Sequence, residues 1–567
     1  MKTSRTLFAL GAILMLAGSI LAWAIHGPGG VEVEDVRFVG DDGQMRSGLL
    51  YLPPGASAED PAPAILAVHG YINSREVQSG FAIEFARRGY VVFAVDQTGH
   101  GYSEGAAFSN GFGGPAALAY LRSLPMVDTD NIGLEGHSMG GWTILAAAAA
   151  YPDGYKAMVL EGSSTGAPFA REGTPDWPRN VAVVFSAYDE FSQLMWGVEQ
   201  ADNAEQSPKL QTLFGTDEVV EEGRVYGDIA EGTARMLAQP PVTHPGDHIS
   251  RAAIGEAVAW FGQTLEGGSD LPAENQIWYW KELGTTVALI GFALFLTGTA
   301  GLLLQAPYID RLRDLPTSAA HWHRGGTWWA IFAATALIPV ATFYPVFWLA
   351  DSFVPDNPAL PQLVTNQIAL WALVNGVIAA LIGLVLKGRP MSFNIDIGPS
   401  LVLAAATVLV GYVAVAFIDW LFLVDPRFWF VGIKLLDPLK AGYALIYAIP
   451  LTVFFLLALR ALHAGLSVED EGAGAYVLNA LALAGGFALF LAVNYAVLFT
   501  TGSTLTPGAW ALETIVMFQF VPVLVFAACL STFLYRRTAS YVPGALLNAL
   551  FVSWFIVGGQ VSQVYIG

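Results

Sequence analysis

Cysteine and charge are both scarce in this chain of 567 residues. It has one cysteine, Cys529, so no disulfide can form within it, and an exported domain would have to rely on packing alone. Charged residues make up 13% of the sequence and hydrophobic residues 54%. This composition is too apolar for an ordinary soluble enzyme and indicates a large membrane-embedded part.

Basic residues are the scarcer of the two charge types. The formal net charge is −20, and the acidic excess lies in residues 26–275. An acidic surface repels phosphate backbones and anionic lipid headgroups, so we expect no nucleic-acid partner. Metal-binding motifs are also missing, because the sequence has neither H-E-x-x-H nor C-x-x-C. We expect neither a metal nor another cofactor.

Long apolar runs dominate the second half of the chain. A run of roughly 20 residues is needed to cross a bilayer, and eight runs approach or exceed this length, at 284–304, 327–349, 366–386, 401–424, 441–459, 475–499, 512–534 and 542–560. Another lies at 7–25, behind Lys2 and Arg5. It is either a retained anchor or a signal peptide, since Ala22-Trp-Ala24 has the form of a cleavage site.

The loops between these runs alternate between many and few basic residues. With the N-terminus in the cytoplasm, most lysines and arginines of the short loops fall on the cytoplasmic side, as the positive-inside rule requires. We therefore expect a multi-pass protein of the cell membrane with residues 31–265 outside the cytoplasm.

Polar residues inside the runs have two interpretations. Asp419 is either a functional residue or an interfacial one beside Trp420. Amide side chains are expected to join helices by hydrogen bonds, and there are four of them, Asn375, Asn494, Gln519 and Asn548.

A glycine-flanked serine lies in the first half, in Gly136-His-Ser-Met-Gly140. A strand-like run precedes it and an alanine-rich helical segment follows. The G-x-S-x-G pattern in this setting is typical of a nucleophile elbow, and the helix N-terminus stabilises negative charge beside the serine. The pattern predicts Ser138 as a nucleophile; the alternative is an ordinary serine in a tight turn.

Two backbone amides are candidates for an oxyanion hole. One is the N–H of Met139, directly after the serine. The other is the N–H of Tyr71, because the apolar run 64–68 ends in His69-Gly70-Tyr71. The alternative for this second loop is a turn that merely ends a strand.

The pattern D-x-x-G-H-G-x-S-x-G begins at Asp96. Together with the loop after 64–68 and the elbow, it resembles the α/β-hydrolase superfamily, in particular its serine aminopeptidase and monoglyceride lipase branch. The short connection after Gly162 is similar to the dienelactone hydrolases. The resemblance implies an α/β-hydrolase fold for 31–265, a mostly parallel sheet flanked by helices, in which Asp96, His100 and Ser103 are structural.

The resemblance also implies where the other catalytic residues lie. A serine needs a base and an orienting carboxylate, in the chain order Ser, Asp or Glu, His. The family pattern places the acid at Asp189, with Glu190 as the alternative. Two histidines follow, and we favour His248 because it directly precedes a helical segment, whereas Pro245 restricts His244.

The predicted organisation has four parts: 1–25 as anchor or signal peptide, 31–265 as the α/β domain, 266–283 as a linker and 284–567 as an all-α bundle of about eight transmembrane helices. Between the acid and the histidine, the acidic segment 212–232 is either a lid or part of an αβ unit with a hairpin.

These features predict a membrane-anchored serine hydrolase that forms an acyl-enzyme. Its expected substrate is a small-molecule or lipid-like acyl compound, an ester before a thioester or amide. One alternative is a transporter or channel whose outer domain processes or gates substrate. Another is a catalytically silent binding domain. The sequence predicts no oligomeric state.

Overall fold

The computed structural model describes residues 2–313, 324–385, 395–466 and 472–565. Eight strands of the first half form one sheet in the order β1-β2-β4-β3-β5-β6-β7-β8. Only β1 and β2 pair antiparallel to their neighbours; all later pairs are parallel. The strands are β1 Glu32–Val39, β2 Met45–Leu52, β3 Ala62–Val68, β4 Val91–Val95, β5 Val127–His137, β6 Ala157–Glu161, β7 Val181–Val184 and β8 Arg235–Ala238.

Helices cover both faces of this sheet, and its strands are apolar because they are buried on both sides. Leu66 and Val68 of β3 pack in one core with α3 and α4, while Ile65 and Ala67 pack in the other with α2 and α7. The predicted α/β fold class is confirmed. The helices of this sheet domain are α2 Ser79–Ala86, α3 Gly114–Ser123, α4 Met139–Ala150, α5 Ser192–Trp196, α6 Pro208–Phe214 and α7 Arg251–Thr264.

In the part of the chain that the structure describes, ten further helices, α1 and α8–α16, form a bundle beside the sheet domain. Eight of those in the described residues are long and apolar enough to cross a membrane, and the bent pair α9 and α10, with an angle of 47° between them, is a further candidate. The helices are α1 Lys2–His26, α8 Trp278–Leu303, α9 Gly326–Ala341, α10 Phe343–Phe353, α11 Leu363–Val385, α12 Ile397–Phe422, α13 Pro438–Leu466, α14 Gly474–Thr501, α15 Ala511–Thr538 and α16 Val542–Gly559.

The first helix packs antiparallel against α8 along a line of glycines. A Cβ added to Gly11 would collide with the backbone of Gly291 and Phe295, and one added to Gly18 would collide with Gly284. Glycines let two helix backbones approach this closely. The contact makes α1 part of the bundle.

The segment between the sheet domain and α8 is hydrogen-bonded to the sheet domain near both of its ends. α8 begins at Trp278, six residues before the predicted boundary at 284. Glu84 of α2 accepts hydrogen bonds from the amides of Ile277 and Trp278, and Arg88 donates to the Leu271 carbonyl. The sheet domain is therefore held directly against the bundle.

The acidic segment 212–232 lies along the outer edge of the sheet. Tyr226 forms an antiparallel bridge with Arg235 of β8, and Val220 is buried in the core beside α6. No residue of this segment lines the cavity described below. Of the two predicted alternatives, the structure shows an edge segment and not a lid.

The amides of the bundle join neighbouring helices in two of the four predicted cases. Asn375 donates to Thr342 Oγ1, and Asn548 donates to the Ala527 carbonyl. Asn494 instead accepts from the Leu505 amide, in the loop that follows its own helix. Gln519 makes no side-chain hydrogen bond to the residues that the structure describes.

Candidate active site

Ser138 lies at the sharp turn between β5 and α4. Its backbone has φ 55° and ψ −121°, a combination that side chains disfavour and that the neighbouring contacts enforce. A Cβ on Gly136 would collide with Gly140, and a Cβ on Gly140 would collide with the Val68 carbonyl. The two glycines are thus required by the tightness of the turn, which projects the serine from the sheet edge as predicted.

Asp189 and His244 form a buried hydrogen-bonded pair. Nδ1 of His244 lies 2.7 Å from Oδ2 of Asp189. Asp189 follows β7 and His244 follows β8, and the parallel pairing continues past both strands through a bridge between Tyr188 and Thr243. The residues directly after this bridge therefore come side by side at the carboxyl edge of the sheet.

The predicted pairing of Asp189 with His248 is not found and is corrected to His244. His248 lies one turn further along the 3-10 segment His244–Ile249. Its ring lies against that of His137, with 4.1 Å between centroids and 50° between the ring planes. Neither ring nitrogen has a hydrogen-bond partner in the described part of the chain. It lines the cavity without contacting the acid.

Neither the helix that follows His248 nor the proline that follows His244 identifies the partner of Asp189, and Pro245 does not disfavour His244. It occupies the first turn of the 3-10 segment, where its missing N–H is not needed and its fixed φ suits the turn. The proline therefore supports the position of His244. The usable signal in the sequence was the short distance between the end of the last strand and the first histidine after it.

Burial sets the protonation of this pair. Desolvation lowers the pKa of His244 to about 4, although the charge of Asp247 opposes the shift. The imidazole is therefore neutral at pH 7. Burial, followed by the charge of Asp247, raises the pKa of Asp189, while the hydrogen bond from the Phe191 amide opposes the rise.

The two predicted oxyanion donors stand beside the serine. The backbone amides of Tyr71 and Met139 donate to no other group of the described residues, and both residues line the same cavity as Ser138. Met139 is the first residue of α4, where helical amides have no intrahelical acceptor. Ile72, next to Tyr71, has a φ of 56°, and its amide donates to His100 Nε2 at 3.3 Å.

The loop that begins at Asp96 braces this region. Its carboxylate accepts hydrogen bonds from the Arg75 amide at 2.9 Å and from Ser47 Oγ at 2.5 Å. Ser103 Oγ donates to the Asp96 carbonyl at 2.7 Å. Asp96, His100 and Ser103 are thus all engaged in hydrogen bonds that fix loops.

Comparison with known proteins identifies the fold of this part of the chain. A family model described as the alpha/beta hydrolase fold matches residues 63–191, which include the elbow and Asp189. The chain contains an α/β-hydrolase domain.

Two curated relatives and one solved structure illustrate the match of this hydrolase domain. A monoacylglycerol lipase of Mycolicibacterium smegmatis is 29% identical over 185 residues, covering 30% of this chain and 61% of the lipase. The quorum-quenching protein AidA of Acinetobacter baumannii is 34% identical over 122 residues, covering 20% and 39%. The chain thus spans less than two thirds of either relative. A dienelactone hydrolase structure from Anabaena variabilis is 20% identical, with 42% of this chain and 99% of that chain covered and a TM-score of 0.28.

A cavity of about 340 Å³ lies over the serine and is walled by both parts of the protein. The hydrolase domain contributes Ser138, His244 and His248 together with apolar side chains, among them Phe108, Trp142, Phe169, Phe191 and Leu194. The bundle contributes Leu363, Phe430, Leu512, Ile515 and Gln563. The bundle therefore forms the roof of the cavity, and most of the lining is apolar.

Side chains of the bundle hold three loops of the hydrolase domain that carry site residues. Tyr495 of α14 donates to Oε1 of Glu190, at 2.5 Å, and Oε2 of Glu190 accepts from the His244 amide at 2.9 Å. Trp429 Nε1 donates to the Pro245 carbonyl at 2.8 Å. Gln563, near the end of the chain, donates to the Tyr71 hydroxyl. The loops that carry Asp189, His244 and Tyr71 are each bound from the bundle side.

An ion-pair cluster fixes the same interface next to the oxyanion loop. The Glu76 carboxylate lies 3.0 Å from Lys434 and 3.4 Å from Arg427, both between α12 and α13, and 3.2 Å from Arg75. Burial alone would raise the pKa of Glu76, but these cations hold it well below its usual value. The carboxylate is therefore ionised at neutral pH.

Metal-binding geometry is not seen in this site. Among the residues that the structure describes, no group of three or more histidine, cysteine, aspartate or glutamate side chains is arranged to hold a metal ion.

Proposed function

We propose that the protein is a membrane-anchored serine hydrolase that cleaves carboxylic esters. The fold and the lipase named among its relatives support a hydrolase. The observation that carries the proposal further is the hydrogen bond between Asp189 and His244 at 2.7 Å, in a cavity that also holds Ser138. An elbow serine, a neutral imidazole and an orienting carboxylate are the three groups that acyl transfer requires.

In the proposed reaction, His244 removes the proton from Ser138 Oγ as the oxygen attacks the ester carbonyl. Asp189 keeps the imidazole in the tautomer that accepts this proton and stabilises the imidazolium that forms. The amides of Tyr71 and Met139 hold the oxyanion, each donor contributing about 3 kcal/mol. His244 then protonates the leaving alcohol, and an acyl-enzyme remains.

Water completes the cycle. His244 takes a proton from the water, whose oxygen attacks the acyl carbonyl and forms a second oxyanion in the same place. Collapse of this intermediate breaks the bond to Ser138, which regains its proton from His244. The products are a carboxylic acid and an alcohol, and the reaction consumes one water molecule.

The apolar lining of the cavity favours an acyl substrate of low polarity. Aromatic side chains line the cavity beside Ser138, and Phe108 and Phe169 among them are partly open to solvent. A lined, mostly apolar cleft with a few polar groups at one point is the usual form of a small-ligand site. The relative named a monoacylglycerol lipase fits this substrate class.

The proposed location of the site is outside the cytoplasm. The hydrolase domain contacts the connection between α12 and α13, the end of α14 and the C-terminal segment, so these share its side of the bundle. Arg311, Arg313, Arg536 and Arg537 lie at the other ends of the helices, and the positive-inside rule assigns that side to the cytoplasm. Labelling by an impermeant maleimide in intact cells would test this, with labelling of Ser123→Cys and none of Arg313→Cys expected; the reverse pattern would contradict it.

A fluorophosphonate probe tests the nucleophile. We expect purified protein to be labelled and Ser138→Ala to lose the label completely. Ser123→Ala, which changes an exposed serine of α3, is the matched control and should label like the parent. Equal labelling of Ser138→Ala and the parent would reject the proposed function.

A further inference from the structure

A second cavity lies inside the bundle, among α11, α13, α15 and α16. Its volume is about 40 Å³. The lining side chains are apolar apart from Gln519, and they include Ile368, Ala372, Phe454, Val523 and Phe555. None of these residues belongs to the hydrolase domain or to the site described above.

The two cavities follow the same two helices. Leu363 of α11 and Ile515 of α15 line the cavity over Ser138, and Ile368 and Gln519 line the one in the bundle. The steps from one lining residue to the next are five and four residues. At 1.5 Å per residue these correspond to about one helical turn, or about 6–8 Å. The second cavity thus lies about one helical turn beyond the first, along the same pair of helices.

The lining of the second cavity suits one type of ligand. A polar headgroup would find a single amide in the second cavity, and burying polar groups without partners is costly. A hydrocarbon chain needs no partner and gains free energy from leaving water. The small volume suits the end of a chain and excludes a second complete ligand.

We propose that the bundle binds the far end of the substrate's acyl chain, in the cavity among α11, α13, α15 and α16, while Ser138 attacks the carbonyl. This inference rests on the proposed function and adds to it a substrate class, esters of long unbranched fatty acids. The bundle then determines the selectivity for acyl-chain length. It is part of the substrate site as well as a membrane anchor.

Matched variants on one helix test the proposal. Val523 lines the second cavity, whereas Val525, two residues on, is 38% exposed on the outside of the bundle. We would compare Val523→Phe and Val525→Phe for hydrolysis of para-nitrophenyl butyrate and para-nitrophenyl palmitate. Each methylene that stays buried is worth about a fourfold factor in affinity, so closing the cavity to two or more of them costs about tenfold or more.

The expected result is a loss of about tenfold in kcat/KM for the palmitate in Val523→Phe, with butyrate hydrolysis unchanged and Val525→Phe like the parent on both esters. An equal palmitate-to-butyrate ratio in the two variants and the parent would overturn the inference. Loss of butyrate hydrolysis in Ser138→Ala shows separately that the proposed function holds, so the two failures are distinguishable.

A covalent probe tests the same inference in the unaltered chain, whether or not the variants fold. A fluorophosphonate with a palmitoyl-length tail ending in a diazirine would first react with Ser138 and then be photolysed. We expect the tail to crosslink to α11 or α15 near Ile368 and Gln519. Crosslinks confined to the hydrolase domain or to lipid would overturn the proposal.

Discussion

The Tyr495 hydroxyl of α14 lies 2.5 Å from Oε1 of Glu190, the neighbour of Asp189. A helix of the bundle thus touches the loop that orients the candidate catalytic histidine, since the other oxygen of Glu190 accepts from the His244 amide. Burial, and then the nearby Asp189, raise the pKa of Glu190 to about 8, while the hydrogen bond from Tyr495 opposes the rise. The bundle therefore helps to position the loops that carry Asp189 and His244.

Removal of the Tyr495 hydroxyl should lower activity. Tyr495→Phe leaves a buried carboxyl oxygen without its donor, and we expect kcat/KM to fall about tenfold, equivalent to about 1.4 kcal/mol. The matched control is Tyr443→Phe, because the buried Tyr443 hydroxyl has no hydrogen-bond partner in the described residues. Similar kinetics in both variants would show that the bundle does not position this loop.

The pH dependence should report the buried imidazole. His244 must be neutral to accept a proton, and burial lowers its pKa to about 4. Activity should persist below pH 6.5 and fall only as the pH approaches about 4, the pKa of His244. Asp247→Asn removes a charge that raises the pKa of His244, so the acid limb of kcat/KM should move to still lower pH.

Loss of activity by protonation can be distinguished from loss by unfolding. The protein is exposed to acid, returned to pH 7 and assayed again. Because the folded pKa of His244 lies below that of an unfolded histidine, acid also favours the unfolded state. Activity that recovers at once on return to pH 7 reports the titration alone. An acid limb at or above pH 6.5 in the native protein would contradict the assignment.

The Glu76 cluster should matter for stability. Glu76→Gln leaves Lys434 without a carboxylate partner among the described residues, and breaking a buried ion pair costs about 3–5 kcal/mol. We expect the Tm to fall by several degrees in calorimetry of the full chain. Glu266→Gln breaks an ion pair with Lys156 in which the glutamate side chain is 85% exposed, and it should leave the Tm unchanged. A Glu76→Gln protein as stable as the parent would contradict a stabilising role for the Glu76 cluster.

The first helix should remain in the mature protein. Intact mass should include residues 2–26, and Gly11→Leu should lower the Tm markedly because its side chain meets the backbone of α8. Overpacking of this kind costs about 1–3 kcal/mol. Ala9→Leu, at an exposed position of the same helix, should be tolerated. A mature chain that starts after residue 24 would contradict the packing argument.

Local signals made much of this site predictable from sequence. The elbow is encoded by two glycines whose replacement would cause collisions around Ser138, and the apolar runs before it predict buried strands. The position of the acid, Asp189, is implied by the resemblance to the α/β-hydrolase family. These features depend on residues close together in the chain, where turn geometry and periodicity leave few alternatives.

The pairing of His244 with Asp189 and the roof of the cavity depend on contacts between distant parts of the chain. His244 meets Asp189 because the pairing of β7 and β8 continues to a bridge between Tyr188 and Thr243, a register that only the folded sheet fixes. Tyr495 is 305 residues from Glu190 in the chain. The hydrolase domain and the bundle can each be predicted from sequence. The contact between a bundle helix and this loop depends on how the two pack together.

Labelling kinetics of the two histidine variants test the central assignment most directly. We would measure the rate of fluorophosphonate labelling of Ser138 in His244→Ala and His248→Ala, with each protein checked for its unchanged Tm. We predict that His244→Ala labels at least about a thousandfold more slowly than the parent, as loss of the general base requires, and that His248→Ala retains most of the rate. Near-parental labelling of His244→Ala together with loss of labelling in His248→Ala would contradict the account.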